Sequence, residues 1–364
     1  MAPRGAPRPE ELPPADGSAG QKAAEPTETV NRQIVLASRP VGLPKISDFD
    51  LVFSPVPSPA AGEVLVRSLY LSLDSSLRGR MSNGRKSHAR PIALGEVMAG
   101  GSVAFVVESG DPAYRRGDAV EGMLGWQEYA VVHGRELRKL DPAVAPISTA
   151  LGVLGMPGLT AYFGLLDICE PRRGETVVVS EAAGSVGMVV GQIAKIRECR
   201  AVGVAGSDAK VTWLLDELGF DAAVNYSAGA DFHDQLEALC PDGVDVYFDN
   251  VGGAITDAVV QRLNTGARIS VCGQISQYNR EEPELGPRWL DQLILKQARV
   301  QGFLVSAYAD RFSGARKQLL KWLKKGRLRY REQIAQGIET APQAFIGMLQ
   351  GRNQGKQLVQ LSKA

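Results

Sequence analysis

The segment 175–196 restricts the possible folds more than any other. Glu175-Thr-Val-Val-Val-Ser180 is a short β-branched apolar run, the pattern of a strand buried on both faces of a parallel sheet. The turn Glu181-Ala182-Ala183-Gly184-Ser185-Val186-Gly187 follows at once, and 187–196 then reads as a helix. Gly184 lets a pyrophosphate approach the backbone, and Gly187 lets the helix pack closely on the sheet. Ser185 and Val186 lie where the helix N-terminus offers free N–H groups and a partial positive charge. A G-x-x-G alone also describes a ligand-free tight turn; the strand before it and the helix after it favour dinucleotide binding. Glu181 replaces the first small residue of that fingerprint. Its carboxylate either repels a diphosphate, points away from the ligand, or faces a substrate cleft.

The alternation continues downstream. Strands are predicted at 200–205, 222–226, 244–249 and 267–272, with helices at 208–219, 231–240 and 253–263 between them. In the helix 208–219, Val211, Leu214, Leu215 and Leu218 share one face and Gly219 supplies the stop. The fold class is therefore α/β, with a Rossmann-type, doubly wound parallel sheet. Residues 30–141 differ: short alternating runs at 63–73, 102–108 and around 126–132 are broken by Pro57, Gly62, Gly110, Pro112 and Gly117, which predicts a barrel-like antiparallel domain. The boundary falls near residue 153. The last forty residues read as less regular. A basic amphipathic stretch at 315–325 predicts a solvated helix that packs Leu319, Leu320 and Leu323 on the core, in preference to a calmodulin-binding or membrane-surface helix. Residues 1–30 hold six of the 21 prolines, six alanines and three glycines, too little apolar area to offset ordering, and are expected to be a disordered tail or an early start.

Composition narrows the function. With 41 Lys+Arg against 40 Asp+Glu in 364 residues, net charge gives no case for a nucleic-acid or membrane-surface partner. The four cysteines, Cys169, Cys199, Cys240 and Cys272, form no CxxC pair, and His88, His133 and His233 lie at no ligand spacing from them. The expectation is no metal, a distant convergent zinc set being the one remaining route. Isolated thiols suit a reducing cytoplasm, and no apolar run is long enough to span a bilayer.

The end of the second strand selects the nucleotide. An NAD site needs Asp or Glu there for the ribose 2′-OH. This chain has Ala205-Gly206-Ser207-Asp208-Ala209-Lys210. Gly206 and Ser207 leave room, Lys210 can meet a 2′-phosphate, and Asp208 is expected to cap the next helix. NADP(H) is favoured over NAD, with an ordinary exposed lysine as the alternative for Lys210. A methyltransferase also binds a nucleoside on such a turn, but Lys210 argues against its acidic ribose ligand.

Several stretches resemble the zinc-independent medium-chain dehydrogenase/reductases, in the branch of the leukotriene/prostaglandin reductases and bacterial curcumin reductases. They are Leu154-Gly-Met-Pro-Gly-Leu-Thr-Ala-Tyr-Phe-Gly-Leu-Leu-Asp167, Val189-Val-Gly-Gln-Ile-Ala-Lys195, Tyr247-Phe-Asp-Asn250-Val-Gly-Gly253, Gly273-Gln-Ile-Ser-Gln-Tyr278-Asn279 and Gly351-Arg-Asn353-Gln-Gly-Lys356. The resemblance implies NADPH-dependent reduction of the C=C bond of an enone or enal. It also implies a GroES-like β-barrel catalytic domain at 31–153, completed by 330–364, with the Rossmann domain at 154–329 inserted, and a homodimer. Carried over by position, Ser207, Lys210 and Tyr226 would hold the 2′-phosphate, Asn250 and Asn353 would contact the cofactor, and Tyr278 would stand near the nicotinamide ribose and the substrate carbonyl. Ser75-Ser76-Leu77 departs from the family's Pro-Tyr-Met, between a retained Asp74 and Arg78 that could form a structural or an active-site ion pair.

The chemistry fits such a site. Hydride attack on a β-carbon pushes charge onto the carbonyl oxygen, and one well-placed donor there is worth about 3–4 kcal/mol. Tyr278 can be that donor, or a loop aromatic that only closes over the cofactor. A non-catalytic NADPH-binding redox sensor is the alternative function.

Overall fold

The computed structural model describes residues 30–83, 87, 89–229 and 231–362; the predicted tail, but for Val30, and His88 lie outside them. The chain begins with β1 (Val30–Leu36), β2 (Phe49–Pro55), β3 (Glu63–Ser72), β4 (Ser102–Ser109), β5 (Ala119–Gly122), β6 (Tyr129–His133) and β7 (Arg138–Lys139), with one short helix, α1 (Leu77–Arg80), after β3. The middle contains β8 (Thr176–Val179), β9 (Arg200–Ala205), β10 (Ala222–Asn225), β11 (Val244–Asp249), β12 (Leu263–Val271) and β13 (Arg299–Gly302). Its helices are α2 (Met156–Phe163), α3 (Gly187–Ile196), α4 (Asp208–Asp216), α5 (Phe232–Leu239), α6 (Gly253–Val260), α7 (Leu290–Leu295) and α8 (Phe312–Lys324). The chain ends with β14 (Glu332–Gln336), α9 (Ala341–Leu349) and β15 (Lys356–Gln360).

β8 to β13 form one sheet in the order β10-β9-β8-β11-β12-β13, every pair parallel. The order reverses direction between β8 and β11, and that switch point opens the crevice in which such sheets bind ligands. Both faces are covered. Val177 and Val179 of β8 join the cluster under α3, whereas Val178 joins the cluster around α6. Phe220 fills the space over Gly191, where a Cβ would lie 1.9 Å from the ring. That contact explains why a glycine is needed inside this otherwise apolar helix.

The other large sheet runs β14-β15-β3-β4-β5-β7, with β6 also paired to β3. The N-terminal strands pair antiparallel as predicted, but β14 and β15 pair parallel to each other, so the sheet is mixed. The C-terminal segment is also more regular than its sequence suggested. α9 places Phe345 against Trp126 at 5.6 Å, and Trp126 stacks on Phe49 at 5.9 Å. These rings knit the two ends of the chain into one core.

β13 was not foreseen because Arg-Val-Gln-Gly is polar and mostly exposed, as an edge strand can be. Leu215 is exposed while Leu214 and Leu218 are buried, because the shorter α4 turns a narrower face inward. The basic helix begins at Phe312, earlier than predicted; it buries Leu319 and packs Leu323 against the same cluster. Among the described residues, no helix is long and apolar enough to cross a membrane.

Candidate active site

A cavity of about 780 Å³ opens at the carboxyl ends of the parallel strands and is walled on its far side by the barrel. It gathers Gly184, Ser185, Val186 and Gly187 after β8, Asn250 after β11, Tyr278 after β12, and Asn353 from the C-terminal segment. Residues more than a hundred positions apart thus line one space. Ser207, Lys210 and Tyr226 lie beyond this lining, grouped at the ends of β9 and β10: a Cβ on Gly206 would lie 3.2 Å from the Tyr226 hydroxyl.

The turn after β8 is held tightly. Ala182 N–H donates to Val204 O, Gly184 N–H to Glu181 O, and Gly355 N–H to Ala183 O at 2.8 Å, which docks the C-terminal segment on the turn. A Cβ on Gly187 would lie 2.2 Å from Glu181 O. The helix therefore starts closer to the strand than any side chain allows.

Glu181 adopts a left-handed φ of +48°, a conformation that costs a non-glycine residue about 1–3 kcal/mol. Its side chain folds back over the turn, so that a Cβ on Gly184 would meet Oε1 at 2.7 Å, and it lines the cavity. The carboxylate thus lies over Gly184, on the same cavity wall as the turn assigned to the diphosphate. Burial pushes this carboxyl up to about 7, with Lys210 opposing the shift.

Ser207, not Asp208, is the N-cap of α4: its hydroxyl accepts from Lys210 N–H, while Asp208 occupies the first turn and accepts from Asn225 Nδ2 at 2.8 Å. The shorter serine side chain reaches the third amide from the extended backbone that a cap needs. Lys210 Nζ donates to Gly351 O at 2.8 Å, and burial lowers the ammonium's pKa against the attraction of Glu181.

Tyr278 OH accepts from Gln274 N–H at 3.3 Å. Burial raises its pKa, so its own proton stays in place and available for donation. Asn353 Nδ2 donates to Gly355 O, whereas its Oδ1 is a buried acceptor without a partner. A buried carbonyl oxygen in that state calls for a donor such as a ribose hydroxyl. With the glycine turn and the Ser207–Lys210–Tyr226 group, this makes the donor set fit a phosphorylated dinucleotide.

The Asp74–Arg78 pair is absent. Asp74 binds Lys356 Nζ at 2.7 Å, while Arg78 donates to Asn279 Oδ1, Ser82 Oγ and the carbonyls of Pro40 and Gly42. Lys356 and Asn279 lie far along the chain, and only folding brings them to these partners. Ser75, Ser76 and Leu77 line the cavity, so the departure from the family pattern faces the cleft. Cys272 also lines it, and burial pushes its thiol up to about 12, which keeps it protonated and poorly nucleophilic. Among the described residues, no group of three or more His, Cys, Asp or Glu is placed to hold a metal ion.

Residues 32–140 match a model described as the N-terminal domain of oxidoreductase, and 185–325 one described as zinc-binding dehydrogenase. The chain is 47% identical over 337 residues to the NADPH-dependent curcumin reductase of Escherichia coli, covering 91% of this chain and 97% of that protein. It is 42% identical over 341 residues to the NADP(+)-dependent 2-alkenal reductase of Nicotiana tabacum, covering 92% and 99%. The crystal structure of CurA in complex with NADPH from Vibrio vulnificus superposes with a TM-score of 0.88 at 47% identity, covering 92% of this chain and 100% of that one. The chain belongs to the medium-chain dehydrogenase/reductases, in the branch that contains the curcumin, 2-alkenal and prostaglandin reductases.

Proposed function

We propose that this protein is an NADPH-dependent oxidoreductase that reduces the C=C bond of α,β-unsaturated ketones and aldehydes. The observation that carries the reading is the single cavity shared by the glycine turn, the partnerless Asn353 Oδ1 and the Tyr278 hydroxyl. The relatives' names, curcumin reductase and 2-alkenal reductase, support the same substrate class.

In this reading Gly184, Ser185, Val186 and Gly187 hold the diphosphate, and Ser207, Lys210 and Tyr226 the 2′-phosphate. Asn250 and Asn353 would contact the cofactor. NADPH, when bound, supplies a hydride for the substrate's β-carbon. Tyr278 donates a hydrogen bond to the carbonyl oxygen as negative charge develops there, its own oxygen being held by Gln274 N–H. Its proton can then pass to the α-carbon, and the tyrosinate left behind regains a proton from solvent, which completes the reduction. The inserted 154–329 segment is the cofactor domain; 31–153 and 330–364 form the substrate side. With Tyr278 as the donor, zinc would be superfluous for this chemistry.

A homodimer belongs to the proposal. β13 is an open sheet edge, and α7 before it exposes Leu290 (69%), Ile294 (78%) and Leu295 (68%), an apolar surface suited to a second copy. Four free cysteines suit a reducing cytoplasm.

The test is nucleotide titration followed by NADPH oxidation with a panel of enones and enals. Turnover with a strong preference for NADPH over NADH is expected. Tight NADPH binding without turnover on any member would instead favour the redox-sensor reading, for which the carboxyl of Glu181 in the turn is the supporting feature.

A further inference from the structure

Asp249, at the end of β11, is 1% exposed, and its carboxylate is surrounded by donors. Oδ1 accepts from the Tyr247 hydroxyl at 3.0 Å, the Ser180 hydroxyl at 3.2 Å, and the backbone N–H groups of Val251 and Gly252 at 2.9 Å each. Oδ2 accepts from the Thr256 hydroxyl at 2.8 Å and from Gln274 Nε2 at 2.9 Å. A carboxylate taken out of water needs such a set of donors, and each is drawn into a fixed position in turn.

Gln274 is the member that leads to the chemistry. Its Nε2 is held by Asp249, and its Oε1 packs over Gly252, where a Cβ would lie 2.0 Å away. Its backbone N–H is the donor to Tyr278 OH. The same loop is tied at two more points, since Ser276 N–H and its hydroxyl both donate to Val251 O. Arg78 Nε then anchors Asn279, the residue after Tyr278, from the barrel side.

We infer that Asp249 is a positioning residue for the reduction: through Gln274 it fixes the loop that aims the Tyr278 hydroxyl at the substrate carbonyl. The inference rests on the reading of Tyr278 as the carbonyl donor. Geometry of this kind matters because a hydrogen-bond donor a fraction of an ångström out of place forfeits much of its effect on a developing charge. Asp249 itself does not line the cavity, and its role is transmitted by one amide side chain.

The experiment is a double-mutant cycle read by kcat on a reducible enone at saturating NADPH, with Gln274→Ala, Asp249→Asn and Tyr278→Phe. Gln274→Ala and Asp249→Asn are each expected to lower kcat by about ten-fold, with the KM for NADPH moving less than about two-fold. In the Tyr278→Phe background neither should lower kcat further, because nothing remains to be aimed. Gln274 is only partly buried, so its variant carries the cycle if Asp249→Asn does not fold. The inference is overturned if Gln274→Ala keeps kcat within two-fold, or if its loss multiplies with that of Tyr278→Phe. If Tyr278→Phe alone retains full kcat, the donor role of Tyr278 fails and the inference fails with it, whereas an additive cycle on a damaged Tyr278→Phe enzyme defeats the inference alone.

Discussion

Lys356 Nζ lies 2.7 Å from Asp74 Oδ1 and donates also to Leu73 O at 2.8 Å, so the last strand grips the loop after β3 in the wall of the cavity. Lys356 is 2% exposed, whereas the Asp74 side chain is 41% exposed on the cavity wall. Asp74→Asn should remove the partner of the lysine charge and cost about 1–2 kcal/mol, read as a fall in Tm or in the urea midpoint at neutral pH. The cost is less than for a fully buried pair because water reaches Asp74. Burial works to raise the Asp74 carboxyl, but Lys356 and the Ser72 hydroxyl outweigh it and hold it below its ordinary value. The wild-type advantage over Asp74→Asn is therefore full above the ordinary carboxylate range and fades as pH falls through the lowered value. An advantage that persists unchanged in strong acid would contradict the assignment.

In the proposed reading Lys210 selects the nucleotide. Lys210→Ala should raise the KM for NADPH by about ten-fold or more while leaving that for NADH nearly unchanged, since a charge-assisted contact to a 2′-phosphate is lost in one case only. Steady-state kinetics with both nucleotides measure this directly. Equal effects on the two would point to a structural role through Gly351 O.

Glu181 gives the site a pH dependence. With its carboxyl pushed up to about 7 by burial, it is neutral below that pH and anionic above it, beside the turn assigned to the diphosphate. Fluorescence titration should show NADPH affinity falling as pH rises through 7, and Glu181→Gln should flatten the fall. Stability follows the same sign. A carboxyl raised above its unfolded value near 4.3 binds its proton more tightly when folded, so stability declines from about pH 4 to 7 and stays lower above. Glu181→Gln should accordingly gain more Tm at pH 8 than at pH 4.

Gly187→Ala tests the close packing of the turn. Its Cβ would lie 2.2 Å from Glu181 O, a backbone atom that cannot swing away. A loss of about 1–3 kcal/mol is expected, together with weakened NADPH binding. Gly219→Ala, where nothing lies within 4 Å but φ is +70°, separates strain from overlap: it should cost stability and leave the nucleotide affinity intact.

The parallel sheet was legible in the sequence because its signals are local. An apolar β-branched run marks β8, valine-containing short segments mark β9 and β11, and the glycines of the turn, with the residues after β9, point to NADP without any distant contact. Ser207 and Asp208 show the limit of such reading, since two adjacent residues both suit a cap and only the backbone angles choose between them.

Position across long chain separations was decided by tertiary structure alone. Sequence singled out Asp74 and Arg78 as a pair four residues apart, yet burial and geometry give Asp74 to Lys356 and Arg78 to Asn279. The donors around Asp249 and the orphaned Oδ1 of Asn353 were equally invisible, and the side to which Glu181 turns was left open. Periodicity and glycine spacing report which face of an element is buried. Which charges and hydrogen-bond donors meet in the cleft depends on how the barrel, the sheet and the last strand close on one another, and no local pattern encodes that closure.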